Sequence, residues 1–517
     1  MLCSVLLDPH AIFLSPQIAA VFFAQFSPTP QALLFKELSL RPEELAHEET
    51  VLAAALALSL GSPSAFAAET ADVVVVGAGA AGLSASIGAA ARGAKVILLE
   101  KTTDAGGNTA FAKLGLNAAA TPDQAAARIT GDSPTLFAAD TIRYGHQIND
   151  AALVRAMTVT SAPALAWLET LGAKLCLRIT PVGSEERPRL MAPCDGTAVG
   201  PRLIQVLKAK ALQSQVDLRT QARATKLILA DQKVSGIEVQ TPKGRYQIKA
   251  KAVVLATGGF AAYSALVNQV HPSLKGIAPV GFRGATGDGL VIARAAGALL
   301  LDLDQLEIRP TVSVKGNVPI EEALRARGGI LLNKSGKRFT DETGIRDIVS
   351  QDILKQSGHS AYLVIDSEIF DADKALQTYV DQGLMKRCGT VAAVAKAIGA
   401  NSAAVKSTLN RYYRAYDRKF DQDFARYEMR VRLDQGPWYV AAVKPGVLAT
   451  LGGIKINDRA EVLGSGDTPI PGLYAAGEVT AGVQGGNMMP GNGLTDAVTF
   501  GLIAGAKSAA YVGKTGL

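Results

Sequence analysis

The chain has 517 residues, 48% of them hydrophobic and 19% charged, with a formal net charge of +7. That length exceeds what one core usually holds, so two domains are expected, and an ordinary globular composition without a low-complexity tract excludes a disordered chain. The basic excess comes without a nucleic-acid motif and reads as a solvated surface suited to anionic substrates or acidic redox partners.

The first 67 residues stand apart. They hold two basic residues, Lys36 and Arg41, against six acidic ones, and no convincing element. At their end the apolar run 51–60 is followed by Gly61, Pro63 and Ala65-Phe66-Ala67. An h-region and an A-x-A site predict export, to the periplasm or another extracytoplasmic space, with cleavage after Ala67. The positive n-region is missing, since His47, Glu48 and Glu49 precede the run, which implies a start placed too far upstream or an altered leader. An unprocessed Ala-rich helix of a cytoplasmic protein is the alternative. The run is too short to span a bilayer, so no stable membrane insertion is expected. Cys3 lies in the leader, leaving Cys176, Cys194 and Cys388. No C-x-x-C-H is present, so no c-type haem is attached to this chain. His146, His271 and His359 are scattered without metal-ligand spacing, so no metal is expected and each reads as structural or superficial.

Residues 72–117 read as strand, helix and strand. Val73, Val74, Val75 and Val76 have the composition of a buried parallel strand. Gly77, Gly79 and Gly82 follow at the G-x-G-x-x-G spacing, which allows in turn a tight turn, approach of a pyrophosphate to the backbone, and close helix packing. The N-terminus of the next helix, with Ala81, then faces the phosphates. A second strand over residues 96–99 delivers Glu100, a carboxylate suited to a free ribose 2′-hydroxyl. Lys101 leads into Gly106-Gly107-Asn108-Thr109 and Leu114-Gly115-Leu116-Asn117, a second Gly-rich stretch that a simple NAD domain does not need. This run resembles the FAD-binding flavoprotein domain of the fumarate reductase and flavocytochrome c family, in which the segment after the acid runs along the flavin.

Further along, residues 200–210 predict an amphipathic helix and 216–220 a strand. Residues 226–230, 236–240 and 246–249 alternate like an antiparallel meander, and 252–260 return to the parallel sheet through Ala256-Thr257-Gly258-Gly259. Thr286-Gly287-Asp288-Gly289 resembles the family's T-G-D-G turn, which implies that Asp288 positions FAD; an ordinary Asp-Gly turn is the alternative. Residues 471–478, ending in Gly477-Glu478, resemble the family's late motif beside the FAD ribose. Gly491-Asn492-Gly493-Leu494 then opens a helix whose N–H groups can stabilise negative charge on reduced flavin. The resemblance implies cofactor contacts at Leu114, Gly115, Ala224, Thr257 and Gly258 as well.

The expected architecture is α/β: a Rossmann-like FAD-binding domain in two parts, 68–309 and 436–517, with an inserted α+β capping domain, 310–435, behind a leader, 1–67. Glu322, Arg325 and Arg346 match the family's proton-delivery trio, with Arg346 the acid. An arginine is an improbable acid in water, with a pKa above about 12, but burial beside a second arginine and an acid relay makes it a feasible donor. An ion-pair network holding cap to body is the bland alternative.

Where fumarate-reducing members hold two substrate carboxylates with two histidines, a threonine and an arginine, this chain has Arg309, Glu321, Leu448 and Met488. Loss of the bidentate arginine alone removes a charge-assisted interaction of about 1.5–3 kcal/mol per hydrogen bond, so fumarate is expected to be a poor substrate. One cation, one anion and a wall of Leu448, Met488 and Met489 suggest an amino-acid-like zwitterion such as methionine sulfoxide. If Arg309 and Glu321 pair with each other, an apolar pocket for an enoate of the urocanate, cinnamate or itaconate type is left. The reading is an extracytoplasmic FAD-dependent reductase of a small organic acceptor. A separate cytochrome c or FMN protein supplies its electrons, and FAD is noncovalent because no histidine stands near Asn108-Thr109. A ketosteroid-type dehydrogenase and a noncatalytic flavin carrier are the rivals.

Overall fold

The computed structural model describes residues 69–179 and 187–515, so the leader and its cleavage site lie outside the described residues. Strand β1 (Glu69–Val76) carries the four valines into an eight-stranded sheet. Helix α1 (Ala80–Ala90) and strand β2 (Val96–Leu99) follow, and β1 and β2 pair in parallel from Val73 against Val96 to Val76 against Leu99. Val73, Val74 and Val75 are wholly buried, as a parallel strand covered on both faces requires. Strand β3 (Asp217–Arg219) extends the sheet beyond β2.

Strands β4 (Arg223–Ala230), β5 (Lys233–Thr241) and β6 (Gly244–Leu255) form the expected meander. The sequence separates the last meander strand from the strand returning to the sheet, but β6 is both. Its first half pairs antiparallel with β5, and from Ile248 onward it also runs parallel to β1. The pattern changes along one strand because its early residues are solvated on one face, whereas Ala252 to Leu255 are covered on both. Helix α2 (Asp288–Ala295) follows.

Strands β7 (Leu306–Ser313), β8 (Ile330–Leu332), β9 (Ala361–Ile365), β10 (Lys386–Cys388) and β11 (Trp438–Thr450) build a second, antiparallel sheet in the order β7-β11-β9-β8, with β10 also on β11. Helix α3 (Arg346–Leu354) precedes β9. The division drawn at 435/436 needs correcting here: β11 pairs with β7 and β9, and its Tyr439, Val440, Ala441 and Val443 belong to the cap core with Leu363, Val364 and Ile365. Gly446, ten residues past that division, lies inside β11, where a Cβ would stand 2.8 Å from Val280 Cγ1. It serves close packing, not a domain boundary. The far end of β11 reaches the flavin-binding side, where the Thr450 N–H donates to Glu478 Oε1 at 3.1 Å.

Strands β12 (Glu461–Leu463) and β13 (Pro469–Ala475) complete the first sheet, β13 lying parallel to β6 in the order β12-β13-β6-β1-β2-β3. Helix α4 (Asn492–Tyr511) then packs on α1. Among the described residues one helix, Ala151–Thr170, is long and apolar enough to cross a bilayer, and it buries Leu153, Val154, Met157, Leu165 and Leu168 in the protein. A disulfide that the cysteine spacing did not predict joins Cys176 to Cys194, which directly follows the last strand of a small sheet of Leu116–Asn117, Leu175–Leu177 and Leu190–Pro193. Cys388 is free and buried in the cap.

Candidate active site

A cavity of ≈ 1960 Å³ separates the C-terminal ends of β1, β2 and β6 from the cap. Pockets for small ligands usually hold roughly 300–1,000 Å³, so this one has room for a dinucleotide and a second molecule. At the β1 end, Gly77 has φ +100° and a Cβ there would stand 2.3 Å from Ala256 O. The Ala78 N–H donates to Glu100 Oε2 at 3.0 Å, while Thr102 holds Oε1 through its N–H and hydroxyl at 2.9 and 2.8 Å. Glu100 is thus aimed along the cavity wall before any ligand arrives. Asn108 bridges the two ends of the chain, donating to Glu478 Oε2 at 2.6 Å and accepting from the Phe282 N–H at 2.7 Å. Asp288 gathers Lys101, Arg223 and Thr286 around its carboxylate, each at 3.0 Å. Burial would raise its pKa, but the two cations outweigh that and hold it below the usual range.

Of the residues expected to meet FAD, Gly77, Gly79, Ala81, Glu100, Gly107, Asn108, Thr109, Leu114, Gly115, Ala224, Thr257, Gly258, Asp288, Glu478, Gly493 and Leu494 all line the cavity. At Gly107 and Gly258 an added Cβ would touch nothing within 4 Å, so bare backbone faces the open space as a dinucleotide cradle requires. The residues present therefore fit FAD. Gly82 is not on the wall. Its Cβ would stand 1.8 Å from Gly77 O, which matches its expected packing role.

The other end of the cavity holds a buried ionic cluster. Arg346, the first residue of α3, donates Nε to Glu322 Oε2 at 2.8 Å and Nη1 to Glu307 Oε1 at 2.5 Å. Arg309 Nε lies 3.8 Å from Glu322 Oε1, too far for a hydrogen bond, and has no hydrogen-bond partner. Burial would raise the Glu322 carboxyl, but Arg346, Arg309 and Arg325 hold it down at about 2. Burial pushes Arg325 down, with help from the charges of Arg346 and Arg309 and against Glu322 and Glu342, and its Nη1 donates to the Glu342 carbonyl. Arg346 goes the other way: burial disfavours its charge, but Glu322 and Glu307 outweigh burial and raise its pKa.

The residues expected to meet the acceptor divide. Arg309, Glu321, Leu448 and Met488 line the cavity. A bulge puts Leu448 there: Glu307 pairs with Ala449 and Ile308 with Val447, leaving Leu448 as the extra residue. Glu321 does not pair with Arg309, as one sequence reading supposed, but stands 3.5 Å from Lys113 Nζ. Met489 needs correcting. It is 2% exposed and absent from the cavity wall, because the Met488 N–H is tied to Glu307 Oε2 at 3.2 Å and the next side chain turns into the core.

Over residues 72–494 the chain matches the family described as FAD binding domain. The chain belongs to that family. A fumarate reductase (cytochrome) of Shewanella frigidimarina is 41% identical over 448 residues, covering 86% of this chain and 78% of the relative. A urocanate reductase of Eggerthella lenta is 30% identical over 471 residues, covering 85% and 74%. Among solved structures, the open conformation of a flavocytochrome c3 fumarate reductase superposes with a TM-score of 0.77 at 35% identity, covering 94% of this chain and 85% of that one. The protein is an FAD-dependent oxidoreductase.

In this flavoprotein, sequence reasoning missed Glu307, Tyr144, Tyr379 and Asp496. Tyr144 and Tyr379 carry no local signal, being set at the cavity wall by tertiary packing alone. Asp496, in the first turns of α4, is buried with Oδ1 unpartnered and is pushed up to about 7 by burial. Glu307 had a signal: a carboxylate inside the apolar run Leu306-Glu307-Ile308-Arg309, two residues from Arg309.

Proposed function

We propose that this protein reduces a conjugated acceptor bearing one carboxylate, an enoate of the acrylate, urocanate or cinnamate type, using electrons passed to FAD by a separate cytochrome c or FMN protein. The observation that carries this reading is Arg309: a cavity-lining guanidinium beside the Arg346–Glu322 pair whose Nε makes no hydrogen bond. A largely buried cation with an unused Nε donor wants a carboxylate. Leu448 and Met488 give the rest of the molecule an apolar bed. The fumarate and urocanate reductases among the relatives, both named for enoate acceptors, agree with the reaction class.

Bound FAD would supply hydride to one carbon of the acceptor double bond. Arg309 anchors the carboxylate and so fixes which carbon faces the flavin. Arg346 gives a proton to the other carbon, and Glu322 with Arg325 returns it. The two carboxylates on Arg346 make it a reluctant acid at rest, so its proton leaves only as negative charge develops on the acceptor, a far stronger base than guanidine. The cap keeps water from competing at that moment. Neither histidine nor cysteine lines the cavity among the described residues, which supports noncovalent FAD. The Cys176–Cys194 disulfide supports export, since such bonds persist in oxidising compartments. The exported chain should then begin at Ala68, as N-terminal sequencing will read.

The zwitterion reading needs Glu321 to meet an ammonium group. Lys113 already stands beside it, so the enoate reading is favoured. Arg309→Gln should raise KM for the best acceptor about ten- to hundredfold, the loss of one charge-assisted interaction, while Glu321→Gln leaves it within about threefold. A rise in KM on Glu321→Gln matching that of Arg309→Gln would favour an amino-acid-like substrate instead.

A further inference from the structure

Glu307 has a consequence that reaches past protonation to the choice of acceptor. Its side chain is fully buried, on β7, between two features of the site. Oε1 receives Arg346 Nη1 at 2.5 Å and Oε2 receives the Met488 N–H at 3.2 Å. Burial pushes the Glu307 carboxyl up against the opposing pull of Arg346 and the Met488 N–H, and both oxygens accept hydrogen bonds, as those of a carboxylate anion do.

The buried charges can then be counted. Arg309, Arg325 and Arg346 interact with Glu322 and Glu307, three positive groups against two negative, which leaves one positive charge. Several neighbouring charges are held in pairs of their own. Glu342 and Asp421 are held by Arg338 and Arg426, Glu321 by Lys113, and Asp347 faces His146 at 2.8 Å. One carboxylate of an acceptor can pair with Arg309, whereas a second would add to the negative charge of Glu322 and Glu307. Glu307 lies behind the Met488 end of the cavity wall, its Oε2 accepting from the Met488 N–H.

We propose that Glu307 is a specificity-determining residue: its negative charge beneath the Met488 end of the pocket limits the acceptor to one carboxylate and repels a dicarboxylate. The inference rests on the reading that Arg309 binds an acceptor carboxylate, and it adds the element that works against the wrong substrate. Met488 gives a second carboxylate no partner, and Glu307 makes that place actively hostile to one. Like charges a few ångströms apart at an effective dielectric of about 20 cost enough to matter at the level of orders of magnitude.

The test uses the oxidised holoenzyme and two saturated probes, 3-phenylpropionate and succinate, titrated against the absorbance of the bound flavin. Glu307→Gln keeps the shape and removes the charge. Succinate should tighten about ten- to hundredfold, while 3-phenylpropionate stays within about threefold. An unchanged ratio between the two probes, or equal weakening of both, overturns the proposal. If Glu307→Gln does not retain FAD, Met488→Lys adds a positive charge at the same end without touching Glu307 and must shift the ratio in the same direction; no shift there also overturns it. Arg309→Gln in the same titration separates the two ideas. If it leaves 3-phenylpropionate binding intact, the carboxylate anchor is wrong, whatever Glu307 does.

Discussion

Arg346→Ala should lower turnover by roughly 10²- to 10⁴-fold, the usual contribution of a positioned general acid, with FAD content unchanged. The two halves of that expectation have separate origins. Arg346 sits at the start of α3 in the cap, where its partners are Glu322 and Glu307, and none of the G-x-G-x-x-G or Glu478 contacts passes through it. Removal strands two buried carboxylates, so some loss of cap stability accompanies the loss of rate. Arg346→Lys should not rescue, because one ammonium cannot reproduce the fork that spans Glu322 and Glu307 while presenting a third donor to the acceptor. Rapid reduction of the flavin by dithionite and its slow reoxidation by acceptor, followed by stopped flow, separate this effect from a failure to load cofactor. Loss of flavin together with activity would mean that Arg346 holds the cap to the body and nothing more.

Gly82→Ala should abolish FAD binding. A single methyl would stand 1.8 Å from Gly77 O and 3.4 Å from Ala256 Cβ, so α1 must move away from the glycine turn that would hold the FAD phosphates. Gly88, in the same helix, is the control. Its Cβ would come no closer than 3.6 Å to Leu502 O, and alanine there should retain FAD and gain up to about 1 kcal/mol in helix propensity. Flavin absorbance per chain after desalting reads both. Normal flavin content in Gly82→Ala would show that the helix can shift without losing the cofactor.

The cofactor end of the cavity was legible in the sequence because its chemistry is local. Gly77, Gly79 and Gly82 lie within six residues, and the valine run before them can only be a strand covered on both faces. That Asn108 and Glu478 share one cavity wall was readable only through family resemblance, since no spacing rule joins residues 370 apart, and their direct hydrogen bond was not foreseen. At the other end of the cavity the sequence placed Arg309, Glu321, Leu448 and Met488 on the wall but missed Tyr144 and Tyr379, misplaced Met489 and did not give the pairings. Glu321 faces Lys113 rather than Arg309, and Met489 turns inward, because a bulge at Leu448 and a tether at Glu307 decide those directions. Both depend on strands brought together from far apart. The domain division failed at β11 for a related reason: one strand of thirteen residues serves the cap core at one end and the flavin side at the other, and a change in glycine content does not mark where it changes role.

The proposed reaction is reduction of an acceptor with one carboxylate. It is tested most directly by anaerobic oxidation of reduced methyl viologen by the purified protein, offered acrylate, urocanate, cinnamate, fumarate, itaconate and methionine sulfoxide at equal concentration. At least one of the three monocarboxylate enoates should be reduced with a kcat/KM about a hundredfold or more above that for fumarate. Fumarate or itaconate as the best acceptor, or methionine sulfoxide reduced while every enoate is inert, would contradict it.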